Sequence, residues 1–121
     1  MTSRGIVLFA HGSRDPLWRK PVEAVATRMR ESEASAQVIC AYLELTEPDL
    51  KAAVQTLVGG GAQSVRVVPM FLGVGRHARE DLPLLMAELK ADHPSVSFEL
   101  QRAVGEDPRM IDLLADIAMS S

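Results

Sequence analysis

His11, Glu44 and His77 are the residues of this 121-residue chain whose types suit chemistry at a shared site. Two imidazoles and a carboxylate can hold a borderline divalent cation such as cobalt, iron, nickel or zinc. Neutral imidazole also takes and releases protons near neutral pH, and a carboxylate can orient it or carry its proton onward. Unlike the two histidines of a helix-borne HExxH motif, these residues lie far apart in sequence, so they form a site only if the fold gathers them. Each also has a plainer role open to it. His11, before Gly12, could satisfy backbone groups in a tight turn, His77 could do the same after Gly75, and Glu44 could be a solvated strand end.

The hydrophobic pattern supplies the elements that must position them. Residues 64–72 (SVRVVPMFL) are apolar almost throughout, as expected of a central strand covered on both faces in a parallel sheet. The run stops at Gly73-Val74-Gly75, which turns the backbone and delivers Arg76, His77 and Arg79 just beyond the strand's carboxyl end. Residues 5–10 (GIVLFA) form a second buried strand that ends directly in His11-Gly12-Ser13-Arg14-Asp15-Pro16. Residues 36–44 (AQVICAYLE) form a third, with Glu44 at its carboxyl end. Residues 96–104 alternate Val96, Phe98 and Leu100 with polar neighbours, which predicts an edge strand with one wetter face.

Helical spacing fills the intervals. Asp15-Pro16 offers a cap and first residue to a helix carrying Val22, Val25, Ala26 and Met29. Pro21 either lies in the first turn of a helix starting near Trp18 or kinks a longer one. Thr46-Glu47-Pro48-Asp49 supplies a cap, an early proline and first-turn acids to a helix with the stripe Leu50, Val54, Leu57 and Val58, ended by Gly59-Gly60-Gly61. Residues 81–91 place Leu82, Leu85, Met86 and Leu89 on one face, with Pro83 in the first turn. Asp107-Pro108 opens a terminal helix carrying Met110, Leu113, Leu114 and Ile117. The alternation predicts one three-layer α/β domain over residues 1–121, a four-stranded parallel sheet of order 2-1-3-4 with helices on both faces. That order sets the first and third strands side by side, so His11 faces His77 at the carboxyl edge, where open α/β sheets bind ligands.

Composition narrows the function further. The chain carries a net charge of -3 and only 4% aromatic residues, and no basic run alternates with aromatics, so a nucleic-acid partner is not expected. Cys40, the single cysteine, can form no intramolecular disulfide and reads as a core residue. No stretch approaches the length of a membrane span, and the amino terminus enters a strand without the apolar core of a signal peptide, so a cytoplasmic protein with no membrane partner is expected. There is no Walker motif, and GVGRH is not a dinucleotide fingerprint, which leaves no organic cofactor to expect. Arg14, Arg76 and Arg79 flank the two histidines and suit a ligand rich in carboxylate or phosphate, ordinary surface charge being the plainer reading. The Gly12-Ser13 turn leaves backbone amides free for an anion. Trp18 and the Val74 turn offer apolar surface or core packing, Met70 reads as core, and His93 as a surface residue outside the site.

Taken together, a first strand ending in HGSRDP, a second ending in Glu and a third running VPMFLGVGRHAREDLP resemble the short CbiX-type sirohydrochlorin chelatases of the class II chelatase superfamily. The resemblance spans nearly the whole chain. It implies a chelatase-like fold and an enzyme that inserts a divalent metal, usually cobalt or iron and in some members nickel, into sirohydrochlorin without ATP, for cobalamin or sirohaem synthesis. It places His11 and His77 at the metal-binding and catalytic histidines and Glu44 at the family's strand-end acid. Ser13, Arg14, Arg76 and Arg79 then become partners for the carboxylates of the tetrapyrrole rim. Because longer members join two such lobes around one large flat macrocycle, a homodimer is expected of the short form. Two rivals stand beside this reading. One is a non-enzymatic cobalt or nickel carrier using the same cluster. The other is a phosphate-ester enzyme using His11, but histidine phosphatases need an Arg directly before the histidine, and Ala10 stands there.

Overall fold

The computed structural model describes residues 4–120. Four strands, β1 (Arg4–Ala10), β2 (Gln37–Tyr42), β3 (Ser64–Pro69) and β4 (Ser97–Leu100), alternate with four helices, α1 (Lys20–Ser32), α2 (Leu50–Gly59), α3 (Arg76–Asp92) and α4 (Pro108–Met119). A 3-10 turn at Val104–Glu106 precedes α4. The sheet is wholly parallel with order β2-β1-β3-β4, as the alternation predicts. In its register Leu8 lies between Cys40 and Val68, and Phe9 between Ala41 and Pro69. The central strand β1 is buried on both sides, which explains its near-continuous apolar sequence.

The pleat divides the core in two. Val7, Phe9, Val65 and Val67 face α2 and α3, meeting Leu50, Val54 and Leu57 of one helix and Leu82, Met86 and Leu89 of the other. Ile6, Leu8, Ala10, Val38 and Val68 face α1, meeting Val22 and Ala26. Among the described residues, no helix is long and apolar enough to cross a membrane.

Several boundaries differ from the sequence expectation, each for a physical reason. Helix α1 starts at Lys20 with Pro21 in its first turn, because Asp15 is used instead in a turn where its Oδ1 accepts from the Leu17 amide at 2.9 Å. The α2 cap is Asp49, whose Oδ1 accepts from the Ala52 amide at 2.8 Å, so Pro48 lies before the helix and not in it. Strand β2 ends at Tyr42, whose amide points away from β1 and donates to the Pro48 carbonyl at 2.9 Å, and Glu44 sits in the turn beyond. Strand β3 ends at Pro69, which has no amide to donate; Phe71 returns to the core, but Leu72 is 67% exposed. Helix α3 begins at Arg76, capped by Gly75, which leaves Pro83 inside the helix instead of in its first turn. Strand β4 is an edge strand as expected, but only Ser97–Leu100 pair. Cys40 and Met70 are half-buried at the rim of the smaller cluster, not fully within it.

The terminal helix departs furthest. Its cap is firm: Asp107 accepts from the Arg109 amide at 2.9 Å, and the Arg109 guanidinium beside it holds its carboxyl down at about 2. Yet α4 buries none of its residues, and the helix residues buried in the smaller core cluster are Val22 and Ala26 of α1.

Two outcomes follow. Leu57, 1% exposed, should cost about 2–5 kcal/mol as Leu57→Ala in urea unfolding, whereas Leu84→Ala, at a site 65% exposed, should cost under about 0.5 kcal/mol. Because the Asp107 carboxyl is depressed in the folded chain, its capping contribution should be complete above the ordinary carboxylate range and vanish as pH falls through about 2. Amide exchange of the α4 first turn against pH measures this, with Asp107→Ala as the reference that shows no such dependence.

Candidate functional site

The carboxyl edge of the sheet is held together by its backbone. As β1 ends, the Ala10 carbonyl accepts from the Leu43 amide at 2.9 Å and the His11 carbonyl from the Glu44 amide at 3.0 Å, so the two loops run on beside each other past the last ladder pair. Thr46 then clamps them: its Oγ1 accepts from the Ser13 amide at 3.1 Å and donates to the Ser13 carbonyl at 2.8 Å. Gly12 is required at this crossing. Its φ is +101°, and a Cβ there would overlap the Glu44 carbonyl oxygen. Opposite it, Leu45 holds φ at 63° while the Thr46 amide reaches back to the Glu44 carbonyl at 2.8 Å, a tight turn of the kind that costs about 1–3 kcal/mol of backbone strain. His11 and Glu44 are thereby fixed as neighbours.

The His11 ring lies against Phe71 of the loop after β3, with ring centroids 4.3 Å apart and planes tilted by 31°. That loop leads to His77, the second residue of α3. Its side chain is 82% exposed, and its Nε2 lies 3.1 Å from Asp81 Oδ2, one helical turn on. Arg76 pairs with Glu80 at the same spacing, 3.1 Å. Gly75 provides no side-chain cap, so the first amides of α3 are left pointing at the edge, where the positive end of the helix dipole favours an anion.

The site residues expected from the sequence therefore fall at one edge but are held unequally. His11 and Glu44 are tied through the backbone, while His77, Arg76 and Arg79 stand together on the first turn of α3, not in a loop. Arg14 is exposed in the loop after β1. Ser13 Oγ accepts from the Asp15 amide at 3.1 Å and so serves its own turn. Among the described residues, no three His, Cys, Asp or Glu side chains are grouped as a ready cation cage, so the imidazoles and Glu44 share an edge without forming a closed ligand set. Tyr42 lies below, against Trp18 at 6.1 Å between ring centroids; burial, with Cys40 and Glu23 nearby, pushes its hydroxyl up to about 12, which keeps it protonated.

Three neighbours of the candidate residues escape a reading of the sequence alone. Thr46 reads as a helix cap and proves to be the loop clamp, Phe71 reads as core and proves to orient His11, and Asp81 reads as the start of a helix and proves to face His77. Only the last had a legible signal, the i,i+4 spacing that appears once the helix is begun at Arg76.

A parallel α/β sheet of order 2-1-3-4, with one histidine directly after β1 and another in the first turn of the helix that follows β3, is the chelatase-like fold. The CbiX family model matches residues 5–120, and the chain belongs to that family. It is 37% identical to a CbiX protein of Marinobacter aquaeolei VT8, with a TM-score of 0.81 over 95% of this chain and 93% of that one. The sirohydrochlorin chelatase SirB of Bacillus subtilis subspecies spizizenii, solved in complex with cobalt, is 25% identical with a TM-score of 0.79, over 98% of this chain but 52% of SirB. The chloroplastic sirohydrochlorin ferrochelatase of Arabidopsis thaliana is 31% identical over 93% of this chain and 50% of its own length. The chain thus spans half the length, or less, of the first curated relatives it matches.

The loop crossing can be tested directly. Gly12→Ala should destabilise the fold by about 1–3 kcal/mol in urea unfolding, since it adds both a forbidden φ and a backbone overlap. Gly73→Ala, where an added Cβ meets nothing within 4 Å, should be close to neutral.

Proposed function

We propose that this chain is one lobe of a sirohydrochlorin chelatase, a single domain that inserts cobalt or iron, and potentially nickel, into the tetrapyrrole without ATP, in the cytoplasm and as a homodimer. The observation that carries the reading is the delivery of His11 and His77 from the neighbouring parallel strands β1 and β3 to one open edge. Insertion must strip two protons from pyrrole nitrogens and exchange the metal's water for ring nitrogens. Neutral imidazole suits both tasks, being a base near working pH and a ligand that lets go. An open edge without a closed cage supports this, since a metal that is substrate must be passed on.

In this reading His11, held by the Phe71 stack, and His77, held by Asp81, carry the metal and accept the pyrrole protons. Glu44, tied to His11 through the backbone, takes protons onward. The acidic rim of the macrocycle meets Arg14, Arg76 and Arg79, the Ser13 hydroxyl and the uncapped amides of α3, an arrangement that draws an anionic substrate to a protein of net charge -3. One sheet edge offers one wall to a flat macrocycle, and a relative twice as long in the same fold supports two lobes facing each other.

The test is an anaerobic absorbance time course with sirohydrochlorin and Co²⁺, Fe²⁺, Ni²⁺ or no metal, against protein-free controls. Protein-dependent insertion is expected, falling at least 100-fold in His11→Ala and in His77→Ala with the fold retained. Arg76→Ala should instead raise the half-saturation concentration by roughly 3- to 10-fold, as expected for an exposed charge contact worth about 1 kcal/mol. Metal binding without any acceleration would favour the carrier.

A further inference from the structure

His11 leaves the sheet between two loops, and each of them carries an exposed leucine one residue beyond its tie to His11. In the order β2-β1-β3 the loop after β2 passes on one side and the loop after β3 on the other. On the first side the Glu44 amide donates to the His11 carbonyl at 3.0 Å, and Leu45, the next residue, is 56% exposed. On the second side Phe71 lies against the His11 ring, and Leu72, the next residue, is 67% exposed.

Neither exposure comes from a loose chain. Leu45 is held at a φ of 63° by the turn that runs from the Thr46 amide back to the Glu44 carbonyl. A bare turn at that φ suits Gly, Asn or Asp, and a leucine there carries backbone strain that an exposed side chain does not offset within its own chain. Leu72 is pinned from behind: the Gly105 amide donates to the Phe71 carbonyl at 2.9 Å, and a Cβ on Gly105 would overlap the Leu72 carbonyl oxygen. Single surface leucines need no explanation, but two on fixed backbone, one on each side of the same imidazole, do.

Size and charge name the occupant. Strands lie about 4.8 Å apart in a sheet, so the loops leaving β2 and β3, with β1 between them, start about 10 Å apart. A phosphate or a small carboxylate cannot touch both leucines, whereas a macrocycle laid across His11 can. Arg14 follows His11 in the loop after β1, and Arg76 and Arg79 follow Leu72 on the first turn of α3. Apolar side chains beside the imidazole, with guanidinium groups further along the same segments, match a ligand that has an apolar ring and an anionic periphery.

We propose that Leu45 and Leu72 form an apolar bed on which one face of the tetrapyrrole lies across His11, and that this bed selects a wide macrocycle over a small anion. The assignment rests on the chelatase reading above. It adds the residues that hold the face of the ring to those that meet its metal, its protons and its rim.

The experiment titrates the full chain with metal-free sirohydrochlorin under anaerobic conditions, followed by absorbance. Leu45→Ala and Leu72→Ala should each raise the dissociation constant by roughly 5- to 10-fold, as expected when several buried methyl and methylene groups are lost. Leu45→Met and Leu72→Met, apolar and of similar volume, should stay within about twofold of the wild type. In the insertion assay the half-saturation concentration should rise in both alanine variants while the maximal rate changes by less than about twofold. Leu45→Gly should weaken binding as Leu45→Ala does without lowering the urea midpoint, because glycine takes this φ freely. Val25→Ala, at an apolar position 39% exposed on α1, should bind as the wild type does. A wild-type dissociation constant in either alanine variant, with insertion intact, would overturn the bed and leave the chelatase standing. A fall in particle mass on light scattering in either variant would show that a second copy covers the leucines, and would also overturn it. A wild-type chain that binds no sirohydrochlorin would overturn both readings.

Discussion

Parallel pairing of β1 with β2 and β3 is the constraint on which the rest depends. A parallel sheet sends every strand out through the same edge, so each loop that follows a strand competes for one strip of surface. Here the competition is settled by hydrogen bonds that outlast the ladder, from Leu43 and Glu44 to the β1 exit and from Met70 to Phe9 at 2.7 Å. The loops leave the sheet already in register, and side chains far apart in sequence become neighbours without any contact between their own functional groups. Gly12 is where this is tightest, and Thr46 is where it is locked.

The same edge balances firmness against openness. His11 is braced by a ring contact and a backbone partner, whereas His77 is exposed on a helix start and paired with one carboxylate, Asp81. A resident metal would ask for a closed cage with each ligand fixed. A metal in transit asks for less: donors on separate elements, reachable from solvent, each able to release. In the proposed reading the arrangement meets the second demand, with the arginines and the uncapped amides of α3 available to a large anion.

Strand order and core were legible in the sequence because burial on both faces leaves apolar runs that little else produces, and because a β-α-β alternation admits few parallel topologies. His11 could be placed at the edge for the same reason. What was hidden lay in the loops. The run through Leu72 looks like strand by composition, yet Pro69 ends the pairing, and hydrophobicity does not report a missing amide. Pro83 pulled the expected start of α3 forward to Asp81, which concealed both the helical placement of His77 and its carboxylate partner. The α4 stripe reads as that of a buried helix, yet α4 buries none of its residues: periodicity reports an apolar face and not what covers it.

The most direct measurement of the central claim is the location of the metal itself, by anomalous diffraction at the cobalt edge from crystals of the full chain equilibrated with Co²⁺. The account predicts a peak at about 2 Å from an imidazole nitrogen of both His11 and His77. Cobalt bound elsewhere, at His93 or on a surface carboxylate, with the imidazoles of His11 and His77 free of it, would contradict the account.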